Sequence, residues 1–192
     1  MRTATIGFRA KTARAIAIAL HANDGGPEYV ARWEVVLHDP KVAATSQPHH
    51  EVMELPWAEA QSSVRPLERR IEAVAIEMLS GLLKDAAARG FHVLGVGVVG
   101  SPDRPLDRIG NSHIRAHAAE GILFRRVLEI AAIENKLQYR SFSDKRFDEL
   151  VFPQLRRTRG EIQNTLRAIG RAAGRPWRAD ERAAAVAAWL LL

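Results

Sequence analysis

Four sets of side chains in this sequence are of types that do chemistry. His113 and His117 stand four residues apart, with Glu120 three further on. On a helix that spacing puts all three groups on one face, a workable donor set for zinc or manganese. It is not the His-Glu-x-x-His pattern, and the same residues equally suit hydrogen bonding by partly buried histidines. A second set follows a continuously apolar stretch: Asp103, Asp107, Asn111 and Ser112. Ligands in open α/β sheets favour the carboxyl ends of strands, so these residues could meet a ligand or metal there. Their competing role is turn formation and helix capping, at which all four residue types are good. The third set is dispersed: Asp144 after a short β-like run, and Asp180 and Glu181 opening the last helical pattern. Asp180 also suits the N-terminal dipole of that helix. His49, His50 and Glu51 lie in a proline-bearing stretch that reads as a polar loop, with a metal or phosphate contact as the alternative.

Charge supplies the next clue. The formal net charge is +6. Between Arg156 and Arg178 stand seven arginines (156, 157, 159, 167, 171, 175 and 178) against one acid, Glu161, so this segment carries the whole excess. A localised cationic stretch suits DNA or RNA, because each phosphate neutralised releases counterions. The alternative is a solvated helix face in an arginine- and alanine-rich chain. There is no cysteine, which excludes disulfides, thiol catalysis and cysteine-based zinc sites. No apolar run approaches the roughly 18 to 20 residues that span a bilayer. The N-terminus leads straight into a strand-like pattern rather than a leader, so a cytoplasmic protein without a membrane role is expected.

The elements that must position these groups are legible from periodicity. Ala4–Phe8, Ala13–Leu20 and Glu28–His38 read as three strands of an antiparallel meander, joined by Arg9-Ala10-Lys11-Thr12 and by a turn at Asn23-Asp24-Gly25-Gly26. Residues 39–64, with Pro40, Pro48 and Pro56, read as a long irregular excursion. A helix is expected to open at Arg65-Pro66, since Leu67, Ile71, Val74, Met78 and Leu82 recur on one stripe. Val93–Val99 has the continuous apolarity of a central parallel strand, and Gly95, Gly97 and Gly100 would admit close neighbours. A helix over about 112–137, a strand near 138–142 and further helices over 145–155, 161–173 and 180–191 complete the chain. The expectation is one domain over residues 1–192: an α/β fold with a mixed five-stranded sheet, order β-β-β-α-β-α-β-α, helices on both faces and extra C-terminal helices.

That order resembles the ribonuclease H-like superfamily, which includes ribonucleases H, Holliday-junction resolvases and transposase cores. Two stretches carry the resemblance in detail. Thr5-Ile6-Gly7-Phe8-Arg9-Ala10 through Ile18 stands where such proteins have an apolar strand, an acid, a turn and a returning strand. Asp180-Glu181-Arg182 and the alanines through Ala188 resemble the final helix of resolvase-like nucleases, whose alanine-rich face packs on the first strand. The superfamily's nucleases gather three or four carboxylates around two divalent metals. Here the region at the end of the first strand, Gly7-Phe8-Arg9-Ala10-Lys11-Thr12, offers Arg9 and Lys11 in the place of an acid, and like charge would oppose a metal there.

Three functions follow as expectations. The first is a catalytically degenerate domain binding nucleic acid or a protein partner, with Arg9, Lys11, Asn111, Arg156, Arg157 and Arg159 among the contacting residues. The second is a divergent nuclease, using magnesium or manganese on Asp103 or Asp107, Asp144, and Asp180 or Glu181; it requires those carboxyl groups to converge. The third is a structural or regulatory homodimer joined through the Trp189-Leu190-Leu191-Leu192 end, with no nucleic-acid role. Trp177 and Trp189 are expected to close the core or an interface.

Overall fold

The computed structural model describes residues 1–192. Five strands form one sheet in the spatial order β3-β2-β1-β4-β5: β1 is Arg2–Lys11, β2 Arg14–Asn23, β3 Gly26–Val36, β4 Phe91–Gly100 and β5 Gln138–Ser143. The first three make the antiparallel meander, and β4 and β5 add in parallel to β1. The mixed sheet and the element order expected from the sequence are therefore both present. The β1–β2 link is tighter than expected. Arg9, Ala10 and Lys11 pair in register with Ile16, Ala15 and Arg14, which leaves only Thr12 and Ala13 for the turn. Ala13, the second turn residue, takes the left-handed conformation with φ +63°. The consequence is functional. Arg9 is a strand residue, opposite Val99 at the carboxyl end of β4, rather than part of a loop.

Helices α1 (Trp57–Ala88) and α2 (Ser112–Glu134) cover one face; α4 (Arg159–Ala173) and α5 (Ala179–Trp189) cover the other, with the short α3 (Phe147–Val151) beside them. Alternation along β1 and β2 explains the two cores. Ile6, Phe8, Ala15 and Ala17 point to the α1/α2 side, whereas Ile16, Ile18 and Leu20 point to the α4/α5 side. The first helix opens nine residues before Pro66, directly after Pro56, and Pro66 lies inside it. The stretch before Pro66 lacks a long apolar stripe but contributes Ala60 and Val64 to the buried face. Tertiary packing there outweighs a proline penalty of about 3 kcal/mol. The irregular excursion shrinks accordingly to residues 37–56.

The glycines of β4 are used as expected. A Cβ on Gly97 would lie 2.5 Å from the Ala187 carbonyl of α5, and one on Gly100 would lie 2.9 Å from the Arg125 side chain of α2. Gly7 is tighter still, since its Cβ would lie 1.9 Å from the Ala184 carbonyl. Helix α5 therefore rests directly on the β1–β4 backbone through its alanines, and Thr5 donates its hydroxyl to the Ala188 carbonyl at 2.8 Å. Trp177, Trp189 and Leu190 pack against this second core, so of the terminal aromatic and leucine cluster only Leu192 is exposed. No helix is long and apolar enough to cross a membrane.

Candidate functional site

Two constellations of polar groups form at the carboxyl end of β1. The first is a corner of alternating charge. Arg9 reaches from β1 with Nη2 3.1 Å from Asp144 Oδ2 and Nε 3.5 Å from Asp180 Oδ1, while Lys11 Nζ lies 3.1 Å from the same Asp180 oxygen. Each partner arrives from a different element for a local reason. Asp144 directly follows β5, and its backbone N–H donates to the Gly100 carbonyl at 2.9 Å, which fixes it against the end of β4. Asp180 stands in the first turn of α5, whose alanine-rich face the glycines of β1 and β4 admit onto the sheet. Arg9 Nη1 also donates to the Ala10 carbonyl at 3.2 Å. The Arg9 side chain is 14% exposed and the two aspartates 27% and 29%. These pairs are thus partly shielded, and their attraction is stronger than that of surface pairs.

Of the five acids expected to form a carboxylate set, only Asp144 and Asp180 meet here. Asp103 is turned toward α2, where it accepts from Arg125 at 2.7 Å and Arg126 at 3.0 Å, and it is largely exposed. Asp107 lies in the short 3-10 turn Leu106–Arg108, also exposed. Glu181, though adjacent to Asp180, points the other way. It is buried and accepts from the Arg178 backbone N–H at 2.8 Å, capping α5. Successive helical residues differ by about 100° in direction, so neighbouring acids at a helix start serve different sites. Asn111 is the cap of α2, its Oδ1 accepting from the Ile114 N–H at 2.9 Å. Its geometry is that of a helix start.

The second constellation is assembled from the loop over residues 37–56 and the start of α2. His113 and His117 come together with Nε2 atoms 3.1 Å apart, and His50 from the loop is the third member. The three donor nitrogens lie within 4.8 Å of one another. Glu120 takes a different role from the one its spacing suggests. It is fully buried, and its Oε1 meets His50 Nδ1 at 2.7 Å and the His50 backbone N–H at 3.3 Å. Seven residues of helix separate Glu120 from His113 by about 10.5 Å along the axis, too far to share one small ion. The loop is not a loose polar excursion. His49 and Thr45 are buried, His49 Nε2 lies 3.4 Å from Glu68 of α1, and Asp39 is paired with Arg70 of α1. The Arg70 guanidinium, with the Lys41 N–H, holds the Asp39 carboxyl below its usual range. In the sequence His50 is a loop residue with a metal or phosphate contact as its alternative role, unconnected to His113 and His117. No spacing rule connects it to α2, and the one available hint was that two adjacent histidines precede the helices that bury them.

The cationic segment is displayed on the outside. All seven arginines from Arg156 to Arg178 are exposed, and none forms a side-chain ion pair with an acid. On α4, Ile162, Leu166 and Ile169 face the core. By helical angle Arg159 flanks that face at about 55° from its centre, while Arg167 and Arg171 project about 135° and 175° away from it. Arg156 and Arg157 extend the same cationic segment before the helix, and Thr158 with Glu161 forms a capping box that sets its start. The peptide after α4 is held to the sheet by Arg32, which donates to the Arg175 and Pro176 carbonyls.

No protein-family model matches the chain, and no curated protein sequence matches it. Solved structures do. The RuvC structure of Thermus thermophilus aligns over 98% of this chain and 92% of its own, with TM-score 0.51 and 11% identity. RuvC of the same organism in complex with Holliday junction substrate aligns over 98% of this chain and 91% of its own, with TM-score 0.52 and 12% identity. At this identity the likeness is one of fold. The chain has the ribonuclease H-like α/β fold in the arrangement seen in RuvC.

Proposed function

We propose that this chain is a nucleic-acid-binding ribonuclease H-like domain in which fixed cations stand where nucleases of the fold hold metals. The carrying observation is the pairing of Arg9 and Lys11 with Asp144 and Asp180. Two cations balance two carboxylates, so the corner has no net negative charge left to draw a divalent ion. A magnesium ion 4 Å from a guanidinium would meet repulsion of about 8 kcal/mol at an effective dielectric near 20. Two-metal phosphodiester cleavage needs the opposite arrangement, several unpaired carboxylates converging on the ions. The remaining acids do not supply it, because Asp103 is occupied by Arg125 and Arg126 and Glu181 caps a helix.

Binding is supported by the exposed arginines of residues 156–178 and by the fold shared with a protein solved on a Holliday junction. Arginine without an acidic partner is free to contact phosphate oxygens bidentately. Such contacts fix the register of a duplex without reading its sequence, which fits a shape-directed binder of DNA or RNA. The test is fluorescence anisotropy of labelled duplex and four-way-junction DNA and RNA over a salt series, with a denaturing gel of the same samples after incubation with magnesium or manganese. Binding whose log K falls with log salt at a slope of about −5, as six phosphate contacts would give, supports the reading if the probe stays intact. Replacing Arg156, Arg157 and Arg159 with glutamine should flatten that slope by about 2 to 3. Metal-dependent cleavage would overturn the degenerate-corner reading, and an absence of binding at low salt would overturn the nucleic-acid reading.

A further inference from the structure

We infer that His50, His113 and His117 form a site for one divalent transition-metal ion of the zinc class, with Glu120 orienting His50 from behind. The tautomer follows from the surroundings. Glu120 is fully buried and its carboxylate only accepts, so the 2.7 Å contact requires the proton on His50 Nδ1. In the neutral ring that leaves a lone pair on Nε2, the form in which imidazole binds a metal. His50 Nε2 is buried and has no hydrogen-bond partner. A ring nitrogen of His50 lies within 4.8 Å of one on each helical histidine. A carboxylate behind a ligating histidine is the recurrent support for such sites, because it fixes the ring and raises its basicity.

Distances agree with a shared ion. Two nitrogens each about 2.0 to 2.1 Å from zinc stand roughly 2.9 to 3.4 Å apart, the lower figure for octahedral and the upper for tetrahedral angles. His113 and His117 are at 3.1 Å. The widest separation in the set, 4.8 Å, exceeds the tetrahedral value. Both helical histidines are exposed, so their rings are free to turn and close it. Three neutral imidazoles without cysteine or carboxylate favour zinc, copper, nickel or cobalt over magnesium, which takes oxygen donors. Three protein ligands leave a fourth position open to water or to an oxygen of a bound molecule.

The location gives such an ion two consequences. It would tie the 37–56 loop, which leaves the end of β3, to the start of α2, which follows the end of β4. Both strands run parallel to β1, so the open coordination position lies at the same end of the sheet as Arg9. That is the end where ligands of open α/β sheets bind. The site is independent of the charged corner, since it shares no residue with it.

An exposed histidine pair at i, i+4 can take up metal by itself, so His50 and Glu120 decide the matter. Zinc is titrated into the full-length protein in competition with a chromophoric chelator, and cobalt is added separately while its visible absorption is followed. One ion per chain, a cobalt spectrum of nitrogen-rich low-coordinate geometry, and a loss of zinc affinity of about 100-fold in His50→Ala and 10- to 100-fold in Glu120→Gln are expected. The conservative Glu120→Gln keeps the shape of the buried site, and far-UV circular dichroism verifies the fold of each variant. Should His50→Ala lose its fold, His113→Ala at an exposed position must still remove the cobalt bands. Wild-type zinc affinity in both His50→Ala and Glu120→Gln would overturn the three-histidine site in favour of a surface pair. Absence of zinc uptake by the wild type would overturn it outright.

Discussion

Replacing Arg9 separates a structural cation from a vacant metal position. Arg9→Met removes both Arg9 ion pairs and leaves Asp144 and Asp180 with Lys11 as their only cationic partner at the corner. Exposed pairs are worth about 0 to 1 kcal/mol, whereas breaking a fully buried pair costs 3 to 5. At 14% exposure for the arginine and just under 30% for each aspartate, the corner lies between these limits. A loss of about 2 kcal/mol is expected, equivalent to 4 to 8 °C in Tm for a chain of this size. Arg9→Asp makes a third carboxylate instead, so in EDTA it should be less stable than Arg9→Met. It should then regain stability with magnesium, by about 1.4 kcal/mol when the ion is at ten times its Kd. Magnesium is the right probe because three imidazoles bind it poorly, which keeps the histidine cluster silent. Differential scanning fluorimetry of wild type, Arg9→Met and Arg9→Asp, each with EDTA or magnesium, reads both effects. If wild type gains as much Tm from magnesium as Arg9→Asp does, Arg9 does not occupy a metal position and the electrostatic reasoning fails. A Tm in Arg9→Met within 1 °C of wild type would refute the assigned strength of the ion pairs.

Two further substitutions probe the frame. Gly7→Ala would force its Cβ into the Ala184 carbonyl, 1.9 Å away, so a loss of about 3 kcal/mol or more is expected from displacement of α5; an unchanged urea midpoint would show that α5 is not seated on β1. Glu161 is held below the usual glutamate value of 4.5 by the Thr158 backbone N–H and hydroxyl. A depressed folded-state value means that the cap's contribution is fully present above about pH 4.5 and disappears as pH falls through the folded value. The Tm difference between wild type and Glu161→Gln should therefore shrink between pH 6 and pH 3, and a constant difference over that range would remove the charge from the explanation.

The fold was legible where a period and a boundary coincided. The alternating run of β2, the β-favouring residues of β3 and the continuous apolarity of β4 each predict their strand, and the resemblance of the α5 alanines predicts the face that packs on β1. Misreadings came where local chemistry ran against packing. Proline at 66 suggested a helix start, yet burial of Ala60 and Val64 carries α1 back to Trp57. The Arg9–Thr12 stretch has the polarity of a turn, yet seven consecutive β1–β2 pairs extend the hairpin to Lys11. That difference of three residues moves Arg9 from a mobile-looking loop to a fixed position on the sheet.

The two constellations show why composition alone could not assign function. The acids of a metal site and the acids of an ion-paired corner are the same residues, and what differs is the cation that meets them. Asp144 and Asp180 stand far apart in sequence and are brought together only because β5 pairs with β4, the neighbour of β1, and α5 rests on both β1 and β4. Whether they face an ion or a side chain depends on Arg9, whose position was recognisable from the resemblance of its strand. The histidines pose the converse case. His113 and His117 were recognisable as a pair, but the third member could not be named, because the loop bearing His50 obeys no period. Its place is dictated by burial: Glu120, facing inward on α2, needs a donor, and the loop supplies the His50 ring and backbone N–H. A buried carboxylate on a helix is costly unless it is paired. Glu120 is therefore the residue from which the histidine cluster can be reasoned, and its position on the helix face was visible in the sequence while its partner was not.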